Sequence, residues 1–242
     1  MSNKQHVQLP NNMTHNDDIN PKDLLVYTAI KRFMNKETKS CFPSINTIVE
    51  KSGVSKPTVL KSIIKLQNAN YIKIGKMGRS NLYTFNSYKS FEPFSYDFLD
   101  RTDLSTGEKS IIVAEQQLMF KENEGFGKIT YTDLELSHKI NMSYNSIVKY
   151  HKSLEKKGFL TTIKTAAKDS STGLAINEKI FHLSELDQAI IWTLKKHEDD
   201  INDLKEKTET TAKDISLLMK EIKRLKIRLD EIEEKPNNDI II

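Results

Sequence analysis

Between Ser44 and Phe85 the apolar positions fall first at helical and then at strand spacing. Ile45, Ile48 and Val49 share one side of a short helix, and Ser44, after Pro43, is placed to cap it. Gly53 tolerates the positive φ of a tight turn, and Val54 is placed to plug the space behind it. Ser55 then reads as the cap of a second helix, with Lys56 at N1 and Pro57 in the first turn, where a missing N–H costs little. Val59, Ile63 and Leu66 recur on one face of that helix, Leu60 and Ile64 widen it, and Asn70 suits a left-handed stop. The opposite face carries Thr58, Lys61, Ser62 and Lys65 at i, i+3, i+4 and i+7. Two strands follow, joined by a short loop with Lys76 and Arg79.

The same grammar extends in both directions. Asn20, Pro21 and Asp23 form a variant capping box for an earlier helix that presents Leu24, Tyr27, Ile30 and Met34, with Leu25 and Phe33 beside them. Val7 to Pro10 reads as an arm or an edge strand. Residues 86–104 are rich in aromatics (Tyr88, Phe91, Phe94, Tyr96, Phe98) but poor in basic residues, so packing is favoured over base stacking. From residue 105 the first half is repeated. Ser105 and Glu108 make a capping box for a helix with Ile111, Ile112, Ala114, Leu118 and Met119, and a strand runs from Gly127 to Tyr131. Thr132 and Glu135 cap a helix with Leu134, Leu136 and Ile140. Asn141-Met142-Ser143 stands where Gly53-Val54-Ser55 stood, and a further helix with Ile147, Val148, Tyr150 and Leu154 inside ends at Gly158. His151 takes the place of the inner Ile63. Phe159 to Ile163 and Ile180 to Leu183 are predicted as strands around a long polar loop. Helix, turn, helix, strand, loop, strand is the order of a winged helix-turn-helix, so the pattern predicts two in tandem.

A different period governs residues 186–235. Ile190, Leu194, His197, Ile201, Leu204, Thr208, Thr211, Ile215, Leu218, Ile222, Leu225, Leu229 and Ile232 recur at alternating steps of four and three. With Leu194 at a, the strong a positions are mostly Ile and the strong d positions mostly Leu, the pattern of a parallel two-stranded coil. Asp200–Lys205, Glu221–Lys226 and Arg228–Glu233 would pair across it with opposite sign. Thr208 and Thr211 are the weak part of the seam. The dimerisation residues are therefore Ile201, Leu204, Ile215, Leu218, Ile222, Leu225, Leu229 and Ile232. The expected class is mainly α with small β wings. The divisions are an arm (1–20), a first winged helix (21–90), an aromatic linker (91–104), a second winged helix (105–185), a coiled-coil helix (186–235) and a tail (236–242). The tail, Asn-Asn-Asp-Ile-Ile-Ile, is either a disordered end or a docking peptide for a protein partner.

Charge changes the picture more than composition does. Residues 1–90 hold 14 Lys and Arg against 5 Asp and Glu, a balance of +9. Residues 91–185 hold 12 against 14, and residues 186–242 hold 11 against 14. The positive field of the first half would attract a polyanion. A helix with one apolar face and one face of short polar side chains and lysines suits a DNA major groove. Lys56, Thr58, Lys61, Ser62, Lys65, Lys76 and Arg79 are the candidate DNA contacts of the first half. In the second half Tyr144, Asn145, Lys149, Lys152 and Lys156 could face DNA, but the acidic balance equally suits weaker contact or protein docking.

Several of these stretches together resemble a known family. Val7-Gln8-Leu9-Pro10-Asn11, Ile19 to Tyr27, Phe42-Pro43-Ser44-Ile45 and Val54-Ser55-Lys56-Pro57-Thr58-Val59 are similar to the helix-turn-helix family of phage and plasmid replication-initiator-like proteins and related bacterial regulators. The resemblance covers residues 7–85, about a third of the chain, and implies that the helix from Ser55 reads DNA. It does not separate replication from transcription.

The remaining signals are negative. The sequence has no phosphate-cradling Gly loop, no zinc spacing and no nucleophile elbow. The six histidines are scattered, and the single cysteine, Cys41, forms no disulfide framework. No apolar run approaches a membrane span, and the N-terminus lacks a signal-peptide core. The expectation is a cytoplasmic, non-enzymatic protein of a bacterium or phage-infected cell, with no cofactor or metal. Its partners are double-stranded DNA and a second copy of itself. Its expected role is sequence-specific transcription regulation, with origin binding in replication or a structural or partition adaptor as alternatives.

Overall fold

The computed structural model describes residues 5–233 except 12, 123–125 and 171, with backbone alone at 120–122, 184, 188–200 and 227–233. In chain order the elements of the first half are β1 (His6–Pro10), α1 (Pro21–Lys31), β2 (Ser40–Cys41), α2 (Ile45–Ser52), α3 (Lys56–Asn68), β3 (Ile72–Met77) and β4 (Ser80–Phe85). β5 (Phe91–Ser95) and α4 (Tyr96–Asp100) occupy the stretch expected as a linker. The second half contains α5 (Thr106–Glu115), β6 (Phe120–Glu122), β7 (Phe126–Ile129), α6 (Asp133–Lys139), α7 (Tyr144–Lys156), β8 (Leu160–Ile163), β9 (Glu178–His182) and α8 (Leu183–Leu186). The last element is α9 (Gln188–Glu233). The chain divides into two compact units, Met1–Leu194 and Lys195–Ile242.

The two halves correspond in element order and in their sheets. β2-β4-β3 is antiparallel throughout, and β7-β9-β8 has the same order and pairing, with β6 added beside β7. β1 is an edge strand, paired antiparallel with β5 from His6–Ser95 to Pro10–Phe91. Phe94 and Phe98 are buried.

α1 differs from the amphipathic helix expected. Leu24, Leu25, Val26, Tyr27, Ala29 and Ile30 are all buried, so the helix is covered on all sides along a run of mostly apolar residues, and it stops at Lys31 with Phe33 exposed beyond it. A helix of that kind must be covered on every side. α5 is built alike, with Ile111, Ile112, Val113 and Ala114 buried, and α1 packs against α5. The two halves therefore share one core.

Two reciprocal contacts lock this arrangement. Gly53 C-caps α2 at φ +66°, and its carbonyl accepts a 3.0 Å bond from Thr106 Oγ1 at the start of α5. A Cβ at Gly53 would lie 2.7 Å from that hydroxyl oxygen. In the second half Asn141 takes the left-handed position, at φ +50°, and its Nδ2 donates to the Asp17 carbonyl ahead of α1 at 2.7 Å. Each turn thus grips the segment that starts the other half.

α9 is continuous across the predicted weak point. The Thr208 and Thr211 hydroxyls donate to the carbonyls four residues back, at 2.8 and 2.9 Å. Ile201, Leu204, Ile215, Leu218, Ile222 and Leu225 are exposed, the least exposed at 50%. The side chains of Leu229 and Ile232 and the tail at 236–242 lie outside the described residues. No helix among the described residues is long and apolar enough to cross a membrane.

The repeat is not a copy. Tyr150 stands on α7 where Ser62 stands on α3, and a Cβ at Gly107 of α5 would lie 2.1 Å from the Tyr150 Cζ and 2.2 Å from its hydroxyl oxygen. Gly107→Ala should therefore destabilise the protein by about 1–3 kcal/mol through overpacking, although alanine alone favours a helix. Thermal melts of Gly107→Ala, Tyr150→Ser and the double variant check this. The double variant should be more stable than the sum of the two single effects allows, and simple additivity would exclude the clash.

Candidate nucleic-acid interface

α3 is held from behind by a buried acid. The Asn20 Oδ1 accepts from the Lys22 and Asp23 amides at 3.0 and 3.2 Å, while the Asn20 amide donates to Asp23 Oδ2 at 2.9 Å. The other oxygen of Asp23 accepts a 2.5 Å bond from the Ser62 hydroxyl. Lys65 Nζ reaches Asp23 Oδ2 at 3.4 Å and the Asp18 carbonyl at 3.0 Å. An unsatisfied carboxylate at this depth would be costly, and these donors answer it.

The clamp corrects the predicted face of α3. Ser62 is 0% exposed and bonded to Asp23, so it is not a base contact. Lys65 is half-buried and tied to α1 and the segment before it. Leu60 and Ile64, expected to widen the core face, are instead 45% and 58% exposed. The outward stripe is Pro57, Leu60, Lys61 and Ile64, with Lys56 exposed at the start and Gln67 and Asn68 at the end. Thr58 is half-buried, and its hydroxyl lies 2.9 Å from that of Ser55. Ser55 occupies the N-cap position but makes no cap bond to the helix backbone. Asn70 does take the left-handed position, at φ +60°.

In the β3–β4 hairpin Arg79 lies in the turn as expected, whereas Lys76, expected in the loop, lies in β3 with Lys73. Met77 pairs with Ser80, Gly78 turns the chain at φ +59°, and Lys73, Lys76 and Arg79 are exposed. Lys76 Nζ donates to Asn81 Oδ1 across the hairpin at 2.7 Å. Among the described residues no carboxylate pairs with Lys56, Lys61, Lys73, Lys76 or Arg79.

α7 repeats the clamp with different residues. Glu108 closes the capping box of α5 with Ser105, and it accepts from Ser153 Oγ at 2.6 Å and from Lys157 Nζ at 2.7 Å. Burial pushes the Glu108 carboxyl up, but the bonds from Lys157 and Ser153 outweigh it and hold it at about 2. Tyr144, Asn145, Lys149, Lys152 and Lys156 are all exposed on the outer face, as the sequence placed them. Glu155 is exposed among them, whereas α3 contains no acidic residue.

The second half also holds a charged cluster that sequence reasoning missed. His151 is buried, with Nε2 at 2.9 Å from Glu115 Oε1 and Nδ1 at 3.1 Å from Asp133 Oδ1. Lys179 of β9 pairs with the same Asp133 oxygen at 2.9 Å, and the Phe181 ring stands edge-on to the imidazole. Burial alone would push the imidazole down, but the Glu115 carboxylate and the bond to Asp133 hold it up at about 9. Burial likewise raises Asp133, and the bonds from His151 and Lys179 override it to about 2. The cluster ties α5, α6, α7 and β9 together. Its only trace in the sequence is a histidine at an apolar position of the repeat.

Residues 17–72, which span α1 to α3, match the helix-turn-helix domain family. The match supports DNA binding by the first half. No curated protein matches the chain.

The cluster makes stability depend on pH in a fixed direction. The raised pKa of His151 stabilises the fold fully below about 6.5, and that contribution is lost as pH rises through about 9. The lowered Glu108 and Asp133 act at the other end, where their contribution is lost as pH falls from the usual carboxylate range through about 2. Denaturant melts of wild type and His151→Gln should differ by up to roughly 3 kcal/mol at pH 6, and the difference should shrink toward pH 10. A difference independent of pH would show that His151 acts by packing alone.

Proposed function

We propose that this protein is a sequence-specific, double-stranded-DNA-binding transcription regulator of a phage or mobile element. It is built from tandem winged helices and pairs with a second copy through a parallel coiled coil. One observation carries the DNA reading. Within the stretch that matches a helix-turn-helix domain, α3 presents an outer face with exposed lysines and no acid. The flanking hairpin adds Lys73, Lys76 and Arg79 in the manner of a basic wing. Phosphate contacts from such groups fix register, and base-edge contacts from the helix select sequence.

The same field supports α3 as the main contributor. α7 offers Lys149, Lys152 and Lys156 but includes Glu155, and its half carries more acid than base. α7 acts here as a second, weaker contact. The parallel pair is supported by the exposed Ile and Leu positions along α9, a seam that water penalises and a partner would bury. A replication initiator is the second reading, supported by the family resemblance of residues 7–85. Footprinting on genomic DNA separates them, because a regulator protects promoter elements and an initiator protects repeated sites at an origin.

Lys56→Glu with Lys61→Glu is expected to weaken duplex binding at least tenfold at moderate salt. The log–log salt slope should fall by about 0.9 for each phosphate no longer neutralised. Fluorescence anisotropy across a salt series reads both, and an unchanged slope would remove α3 from the interface. Leu218→Asp with Leu225→Asp should give monomers whose first unit still melts cooperatively, as read by sedimentation and calorimetry. A monomeric wild type, or a variant that still dimerises, would reject the coil.

A further inference from the structure

Two side chains on the outer stripe of α3 are chemically out of place beside its lysines. Leu60 and Ile64 lie one turn apart on the helix, at 45% and 58% exposure, with Pro57 and Lys61 on the same stripe. A single exposed leucine would need no explanation, but two stacked apolar side chains at the centre of a candidate reading surface do. Of the short polar side chains expected to read bases, Ser62 is buried against Asp23, and Thr58 is half-buried with its hydroxyl shared with Ser55.

Charge selects the occupant of this stripe. The exposed side chains around it include Lys56 and Lys61, and α3 has no acidic residue. A second copy of the same face would be repelled, whereas a polyanion is attracted. The apolar feature that a DNA major groove presents at its base edges is the thymine C5-methyl group. We propose that Leu60 and Ile64 read thymine, each packing against a C5-methyl, while Lys56 and Lys61 engage phosphates or guanine edges. Four residues of helix advance about 6 Å, so the two methyls belong to thymines within about two base-pair steps of each other. This inference rests on the reading of α3 as the DNA-contacting helix, and its test is chosen to fail separately.

The full chain is used to enrich duplexes from a randomised 20-bp pool, and the enriched duplex is then synthesised with thymine or with deoxyuridine at each T. Uracil keeps every hydrogen-bonding group of thymine and removes only the methyl. Wild-type binding should weaken about fourfold for each packed methyl that uracil deletes. Leu60→Ala and Ile64→Ala, which are exposed and should melt like wild type, should each become insensitive to uracil at one position. Equal wild-type affinity for the thymine and uracil forms of an enriched duplex would overturn the thymine reading and leave DNA binding standing. No enrichment, together with no salt-dependent duplex binding, would overturn the DNA reading itself. If Leu60→Ala changes the sedimentation of the free protein but not its uracil sensitivity, the stripe is a protein contact and the proposal falls.

Discussion

The packing of α1 against α5 is the constraint on which the rest of the first unit depends. Each helix is buried on all sides along a run of mostly apolar residues, so neither half can stay in water alone without exposing part of its central helix. The arrangement that covers both brings the two halves into one core. It also brings each helix turn against the start of the other half, which is why Gly53 faces Thr106 and Asn141 faces Asp17. One compact unit whose α3 and α7 each keep an exposed outer face follows from this burial.

Burying α1 and α5 creates an electrostatic problem, and both halves answer it in the same way. The acidic residue that caps each helix at N3 has a second oxygen that points into the core. In each case a serine hydroxyl and a lysine from the third helix of that half, or the residue just after it, satisfy the carboxylate: Ser62 and Lys65 for Asp23, Ser153 and Lys157 for Glu108. The cap therefore does two jobs. It ends the backbone of one helix and fixes the rotation of another, and that rotation decides which side chains α3 and α7 show to solvent. The second half adds Glu115, Asp133, His151 and Lys179, two acids balanced by two bases.

Much of the fold is legible in the sequence because turn and cap chemistry is local. The capping boxes at Asn20, Ser105 and Thr132 and the left-handed Gly53 and Asn70 follow from residue type and spacing alone. The rotation of α3 is not legible in the same way. Val59, Ile63 and Leu66 define its inner side, but either Leu60 and Ile64 or Ser62 can border that side, and hydrophobicity favours the leucine and isoleucine. What reverses the choice is a carboxylate 39 residues away that needs a hydroxyl. The aromatic stretch after Asn86 reads as packing rather than stacking, yet its pairing with β1 joins residues about 85 positions apart, which no local pattern encodes. His151 shows only as an anomaly in the repeat, because its three charged neighbours come from α5, α6 and β9.

These clamps also shape the field outside the protein. Asp23 with Lys65 and Glu108 with Lys157 are each neutral pairs, and the His151 cluster carries two charges of each sign. Lysines that serve the interior therefore contribute little to long-range attraction, because each is cancelled at a few ångströms. On α3 and the β3–β4 hairpin, Lys56, Lys61, Lys73, Lys76 and Arg79 are exposed and pair with no carboxylate among the described residues. A count of basic residues along the chain overstates the reading surface by including Lys65. The five that lie on α3 and the hairpin after it are close along the chain, and such concentration of like charge steers a polyanion to a defined face.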